Sequence, residues 1–403
     1  MQLLQEIVIG AVTAGVLYVL LMKRVRTARA WRATVTPLAS IIGSGFLVLG
    51  PILSDSYGKY APVVMLLLCA AAYAFGTAVR FNIRNIDAHP DRSPLEERLE
   101  YFSSWSLAFA YCISVAYYLN LFGAFGVKLT PFNSPVAAKS LTSAMLVLIL
   151  AVGWLHGFRA MERMEQAAVS LKLAIIAGLL VGLTFYFAQQ SAAGNLVVAA
   201  PPKTGWTGIT LAFGLIITIQ GFETSRYLGE EYSAAMRIRS MHYAQWTTTV
   251  IYFAYVLLLT FLFHPDAVAL SETSIVDMMK LVSTLLPMLL VVAALSAQFS
   301  AAIADTSGAG GLVAEQSDGR LSSRMGYLIL VLIGLGLTWF AHIFEIITYA
   351  SKAFALYYAL QCAIASAGAL KEARKPHLAV LFAVFGMLAV AVLAFGRPVE
   401  GGS

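Results

Sequence analysis

The chain has 403 residues, of which 59% are hydrophobic and 12% charged, with a formal charge of +6 and a mean hydropathy of +0.78. A soluble globular protein carries about twice that share of charged residues, so the composition excludes a soluble enzyme or binding domain and points to a polytopic membrane protein. Nucleic acid is excluded as a partner, because Lys and Arg fall in short loops between apolar runs, the pattern that the positive-inside rule produces.

Residues 5–22 are apolar and are followed by Lys23, Arg24, Arg26 and Arg29. A signal peptide places its charges before the apolar run. The reversed order predicts an uncleaved first helix with its N-terminus outside. Further runs lie at 34–53, 61–80, 105–125, 138–156, 166–188, 207–229, 240–263, 284–306, 325–341, 345–367 and 376–395. Each is near the ~20 residues that cross a bilayer as a helix, so an all-α membrane protein with about twelve transmembrane helices is expected.

Basic loops recur at Lys23 to Arg32, Arg80 to Arg98, Arg159 with Arg163, Arg237 with Arg239, Arg320 with Arg324 and Lys371 to Lys375. These are every second loop, and the alternate loops carry few Lys or Arg. The bias assigns the basic loops to the cytoplasm, both termini to the outside, and the chain to a bacterial inner (plasma) membrane. Ser93 followed by Pro94 and Glu96 predicts a short cytoplasmic surface helix. Residues 264–284 alternate polar and apolar and predict a capping hairpin of short helices. Cys69, Cys112 and Cys362 lie inside apolar runs with no metal or disulfide spacing, where a free Cys packs as a small apolar residue.

Two of the runs contain weak helix. Gly43, Ser44 and Gly45 interrupt the run from Thr36 to Leu53, and Gly221 interrupts that from 207 to 229. Glycine is a poor helix former, and lipid tolerates such backbone only where protein or a polar cavity satisfies it. The first break opens a set of five runs and the second opens the next five; an odd number per half inverts one half relative to the other. Interrupted helices in corresponding positions of two halves point to a midplane binding site. The expected organisation is an extra helix and basic loop (1–33), a first five-helix repeat (34–190), a second (205–370) and a C-terminal helix and tail (371–403).

The stretch Thr36-Pro-Leu-Ala-Ser-Ile-Ile-Gly-Ser-Gly-Phe-Leu-Val-Leu-Gly-Pro resembles the first core helix of the amino acid–polyamine–organocation (APC) superfamily. Gln220-Gly-Phe-Glu-Thr with Gly229-Glu-Glu resembles its sixth, and Ser296 to Gly319, with Ser307 and Asp318-Gly319, is similar to its eighth. The resemblance covers about residues 34–370. It implies the leucine-transporter (LeuT-like) five-plus-five inverted repeat, with discontinuous first and sixth core helices, and small-molecule transport by alternating access. The arginine usual near the serine of the eighth helix is absent, and Gln220 stands where small or hydroxyl residues are commoner.

The candidate substrate site is Ile42, Gly43, Ser44 and Gly45 on one side and Thr218, Ile219, Gln220, Gly221 and Phe222 on the other. Exposed N–H groups at a half-helix start bind a carboxylate; the alternative is close packing through small residues. Freed carbonyls at the second break accept an ammonium, Phe222 closes over the solute, and Gln220 offers donor and acceptor; the alternative is a single glycine kink. Tyr111, with Tyr117 and Tyr118, mixes lining and packing roles.

Glu223 and Arg226, three apart, are placed to pair, as a structural ion pair or in proton transfer. Lys172 resembles the fifth-helix lysine of proton-coupled or sodium-independent members, whose ammonium occupies the space of a sodium ion; the alternative is snorkelling to the cytoplasm. Lys352 is expected either to pair with an acid such as Glu223 as an outer gate or to favour an acidic substrate. Asp305 is a further buried charge, with a helix-end partner as the alternative. Intramembrane charges are functional candidates by default.

No Gly-x-x-x-x-Gly-Lys-Ser/Thr loop indicates an ATP-driven pump. No His-Glu-x-x-His, Cys-x-x-Cys or Ser-His-Asp arrangement indicates an enzyme, and nothing calls for a metal or cofactor. The expected function is sodium-independent secondary transport of an amino acid or related small organic solute, by proton coupling or exchange. The alternatives are an amine or organic-acid exchanger and a non-transporting membrane sensor or partner subunit.

Overall fold

The computed structural model describes the chain except residues 1, 44, 89–92, 157, 229–231, 265–269, 372–374 and 400–403, with no account of the side chains of residues 2, 86–88, 156, 158–164 and 217. The described residues are helical and contain no strand. The helices, in order, are α1 (Gln2–Leu21), α2 (Lys23–Arg26), α3 (Arg29–Ile41), α4 (Gly45–Tyr57), α5 (Ala61–Ala88), α6 (Pro94–Lys128), α7 (Pro135–His156), α8 (Phe158–Ala192), α9 (Gly205–Gly214), α10 (Ala234–Leu262), α11 (Ser274–Lys280), α12 (Leu286–Gln316), α13 (Ser323–Phe340), α14 (Ile343–Lys371) and α15 (Pro376–Phe395). Short 3₁₀ segments lie at Gly58–Tyr60, Ile216–Ile219 and Phe222–Tyr227.

Among the described residues, ten stretches are long and apolar enough to cross a membrane, and one of them, Gly45–Asn85, runs through α4 and α5 together. The difference from about twelve has a physical cause. The runs at 34–53 and 207–229 are not single helices: the first divides into α3 and α4, and the second into α9 and two 3₁₀ segments.

At the centre, α6 packs along α12 and α14. The helix predicted at 105–125 begins earlier. Ser93 caps it with a capping box to Glu96, Pro94 stands in the first turn, and the helix runs unbroken for 35 residues. A separate surface helix at Ser93 is therefore corrected: Pro at a first turn and a reciprocal Ser–Glu cap start a helix well, and nothing in 96–104 ends it. Residues 264–284 hold one short helix, α11, where a hairpin of two was expected; part of that segment lies outside the described residues. Lys128 at the end of α6 ties α11 down through Asp277 at 2.7 Å.

The first helix packs on α8. Two glycines permit the approach: a Cβ added at Gly178 would stand 2.2 Å from Thr13 Oγ1, and one at Gly182 would stand 3.0 Å from Ile9 Cδ1. Glu6 accepts from Ser283 Oγ and Thr284 N, both at 2.8 Å, so α1 also holds the segment that leads into α12.

Candidate functional site

The breaks meet in the interior. α3 stops at Ile41, and Gly43 follows; α4 restarts at Gly45. Ser44 lies outside the described residues. On the second segment, the chain turns at Gly221 with φ +116°, a left-handed conformation that only glycine adopts without strain. A Cβ at Gly221 would also fall 2.6 Å from Ser40 C and Ile41 N. A Cβ at Gly45 would stand 2.8 Å from both Thr218 Cα and Thr218 Cβ. The glycines thus let two irregular backbones touch, Gly45 on Thr218 and Gly221 on the end of α3. Ile42, Gly43, Gly45, Thr218, Ile219, Gln220, Gly221 and Phe222 are all buried.

The freed backbone groups find side-chain partners, as backbone in lipid requires. Lys172 on α8 is fully buried. Its Nζ donates to Ala39 O at 2.9 Å and Ile42 O at 2.6 Å, and lies 3.4 Å from Ser300 Oγ on α12. An ammonium thus caps the carbonyl end of α3, where the helix dipole favours positive charge. Tyr252 on α10 is the second partner. Its hydroxyl donates to Ile41 O at 2.8 Å and lies 3.2 Å from Thr218 O, so one group bridges both breaks. Gly221 N donates to Glu223 Oε2 at 3.0 Å, and Tyr358 Oη donates to the same oxygen at 2.9 Å.

Asp305 is fully buried midway along α12, not at a helix end. It accepts from Ser40 Oγ on α3 at 3.3 Å and from Ser114 Oγ on α6. Lys172 and Asp305 therefore reach α3 from different neighbours, each through hydrogen bonds to it. Gln220 Nε2 donates to Tyr118 Oη at 2.9 Å, and the Tyr118 ring lies 3.1 Å from where a Gly43 Cβ would be. Tyr111 lies about two turns before Tyr118 on α6, edge-on to Phe354 with ring centroids 5.8 Å apart.

Two expected pairings differ. Glu223 and Arg226 do not pair: Glu223 folds back to Gly221 N, and Arg226 Nη2 meets Glu100 Oε1 on α6 at 2.5 Å. Arg226 also donates to Gln361 Oε1 at 2.6 Å; Gln361 in turn reaches Ser103 and accepts from Asn82. Lys352 is half-buried and makes no ion pair with Glu223 among the described residues. It precedes Tyr358, the α14 residue on Glu223, by six positions, which turns it about 240° around a helix. Phe222 stacks on Tyr358, with ring centroids 5.3 Å apart and 15° between the planes.

Tyr252, Ser40, Ser114 and Tyr358 were not singled out by sequence reading. Tyr252, Ser114 and Tyr358 each carry one hydroxyl on a helix far away in sequence that only the fold brings to the break, whereas Ser40 stands at the break itself, in the last turn of α3. Gly229, Glu230 and Glu231, part of the motif that resembles the sixth core helix, lie outside the described residues.

A family profile described as APC superfamily transporter matches residues 23–396. The chain is also 41% identical over 400 residues, 96% of each chain, to a protein of Aquifex aeolicus (strain VF5) described only as uncharacterized. The profile spans both breaks, the lysine behind the first and every helix that touches them, and on that match the chain belongs to the APC superfamily transporters.

Proposed function

We propose that the protein is a sodium-independent secondary transporter that moves an amino acid or related small organic solute by alternating access. The observation that carries the reading is the buried Lys172 ammonium, held by Ala39 O and Ile42 O beside Ser300 Oγ. A fixed positive charge at the end of α3 stands where a coupling cation would otherwise neutralise those oxygens, so the driving force is a proton gradient or exchange of solutes.

In this reading α3 to α8 and α9 to α14 form two inverted five-helix repeats, and the solute binds between the breaks. Its carboxylate takes the N–H groups that open α4 near Gly43 and Gly45. Its ammonium takes the carbonyls near Thr218 and Gly221, which include the one beside Tyr252 Oη. The contact of Gly45 with Thr218 corresponds to a closed site, and α4 and the 3₁₀ segment Ile216–Ile219 must separate for entry. Glu223, Lys352 and Asp305 are the remaining candidates for coupling or gating. The alternation of basic loops supports a cytoplasmic placement of those loops in a bacterial inner membrane, with both termini outside; labelling of single cysteines at either terminus from each side tests it.

A thermal-shift screen against amino acids, amines and organic acids identifies the ligand, because binding to the native state raises its melting temperature. Uptake into proteoliposomes then follows, driven by an imposed proton gradient or by preloaded solute. Accumulation under either condition supports the reading. Binding without flux under both assigns the chain instead to a sensor or partner subunit that keeps the fold, a reading to which the closed contact of the two breaks also conforms.

A further inference from the structure

Two buried amides flank the first break with hydrogen-bonding capacity left over. Gln298 on α12 is 0% exposed, and neither its Oε1 nor its Nε2 has a partner. Gln220 is 1% exposed; its Nε2 donates to Tyr118 Oη, and its Oε1 has no partner. Folded chains avoid such groups, because burial without a partner is costly. One orphan is tolerable; two amides on the segments packed around Gly43 point to something that completes them.

Both lead to Gly43. The Tyr118 ring and the Ala301 Cβ lie 3.1 and 3.5 Å from the position a Gly43 Cβ would take. Gln220 is bonded to that tyrosine. Gln298 precedes Ala301 by one turn of α12 and shares a helix face with Asp305, seven residues on, which itself touches α3. Lys172 and Asp305, the charged groups bonded to α3, are already engaged. Lys172 Nζ has three oxygens around it, and both Asp305 oxygens accept serine hydroxyls. What remains incompletely bonded here is these two amides and, on the second break, Glu223 Oε1.

We infer that the site takes a small amino acid with an uncharged polar side chain, a hydroxyl or a carboxamide, recognised by Gln220 and Gln298. The inference rests on the proposed substrate site between Gly43–Gly45 and Thr218–Gly221. Hydroxyl and carboxamide groups each offer a donor and an acceptor, so the match holds whichever way either amide is turned. An aliphatic solute of the same shape leaves both amides unmet, and sites built to hydrogen-bond a solute reject such an isostere by at least ~100-fold.

The test uses the purified full chain with isosteric pairs, threonine against valine and asparagine against leucine, together with lysine and glutamate. Threonine or asparagine is expected to raise the melting temperature and to bind at least ~100-fold more tightly than its apolar partner. Gln298→Leu removes an orphan amide, so the unliganded protein melts no lower than wild type; Gln220→Leu also loses the bond to Tyr118 Oη and melts somewhat lower; in both, the polar preference falls towards unity. Valine binding as well as threonine, or a preference that survives both variants, overturns the inference. A variant that melts lower with the preference intact overturns it too, since the amide then serves only the fold. Preference for lysine assigns recognition to Glu223, whose Oε1 also lacks a partner, and overturns it. If no amino acid shifts the melting temperature, the substrate site itself is misplaced, a failure distinct from those above.

Discussion

Gly45→Ala tests whether the two breaks work by touching. The added Cβ would stand 2.8 Å from Thr218 Cα, 2.8 Å from Thr218 Cβ and 3.2 Å from Thr218 Cγ2. Carbon atoms prefer about 3.5–4.0 Å, so the overlap is about 0.7–1.2 Å at the two nearest. A new Thr218 rotamer moves only Cγ2. The Cα and Cβ are fixed by the backbone, which is itself held by Tyr252 Oη on Thr218 O. The strain must therefore separate α4 from the second break. Overpacking of this kind costs about 1–3 kcal/mol, a factor of about 5–150 in any equilibrium that favours the closed contact. The assays are thermal melting of the purified protein and initial uptake in proteoliposomes; both fall in the variant. Gly311→Ala is the control, since its Cβ meets nothing within 4 Å in the C-terminal part of α12. Alanine is favoured over glycine in a helix by roughly 0.5–1 kcal/mol, so that variant melts at or above wild type. Gly45→Ala with wild-type melting and uptake, or an equal loss in Gly311→Ala, refutes the reasoning.

Arg226→Met removes the ion pair with Glu100 and lowers the melting temperature; breaking a buried ion pair costs about 3–5 kcal/mol, and the 20% exposure of the Glu100 side chain places the loss at or below the low end. Adding Glu100→Gln is expected to recover part of it in the double variant, and no recovery contradicts the pairing. Tyr252→Phe removes the hydroxyl shared by Ile41 O and Thr218 O, with an expected loss of about 1 kcal/mol, measured by the same melting assay. For Asp277 on α11, burial pushes the carboxyl up, but Lys128 and Lys280 outweigh it and hold it below the ordinary value. The native state then binds fewer protons than the unfolded one near that value, so the contribution is present above ~3.9 and lost as pH falls below it. Melting curves at stepped acidic pH check this: Asp277→Asn removes that part of the acid loss at low salt, and the difference shrinks at high salt.

Residues 41–46 and 219–223 were legible as breaks because Gly43, Gly45 and Gly221 stand inside runs too apolar to be loops. Lys172 was legible for a similar reason, as one cation deep in an apolar run. The partners of these groups were not. Ser40 and Asp305 are 265 residues apart, and Gln220 and Tyr118 are 102 apart; no local pattern marks such meetings. Where local pattern did mislead, a competing local partner explains it. Glu223 and Arg226 have the spacing of a pair, but Gly221 N is freed at the break and takes the carboxylate first. The polar start of α6 read as a separate element because hydropathy registers only its apolar part, whereas its capping and continuity extend it to Pro94. Gln298 gave no signal at all, being one amide in a helix that otherwise reads as apolar core.

The central claim is that Lys172 takes the place of a coupling cation behind the first break. Uptake of the solute identified by thermal shift, measured in proteoliposomes in sodium buffer and in choline buffer for wild type and Lys172→Met, tests it most directly. Equal wild-type uptake in the two buffers and its loss in Lys172→Met are predicted; wild-type uptake that requires sodium, or a Lys172→Met protein that transports as well as wild type, contradicts the account.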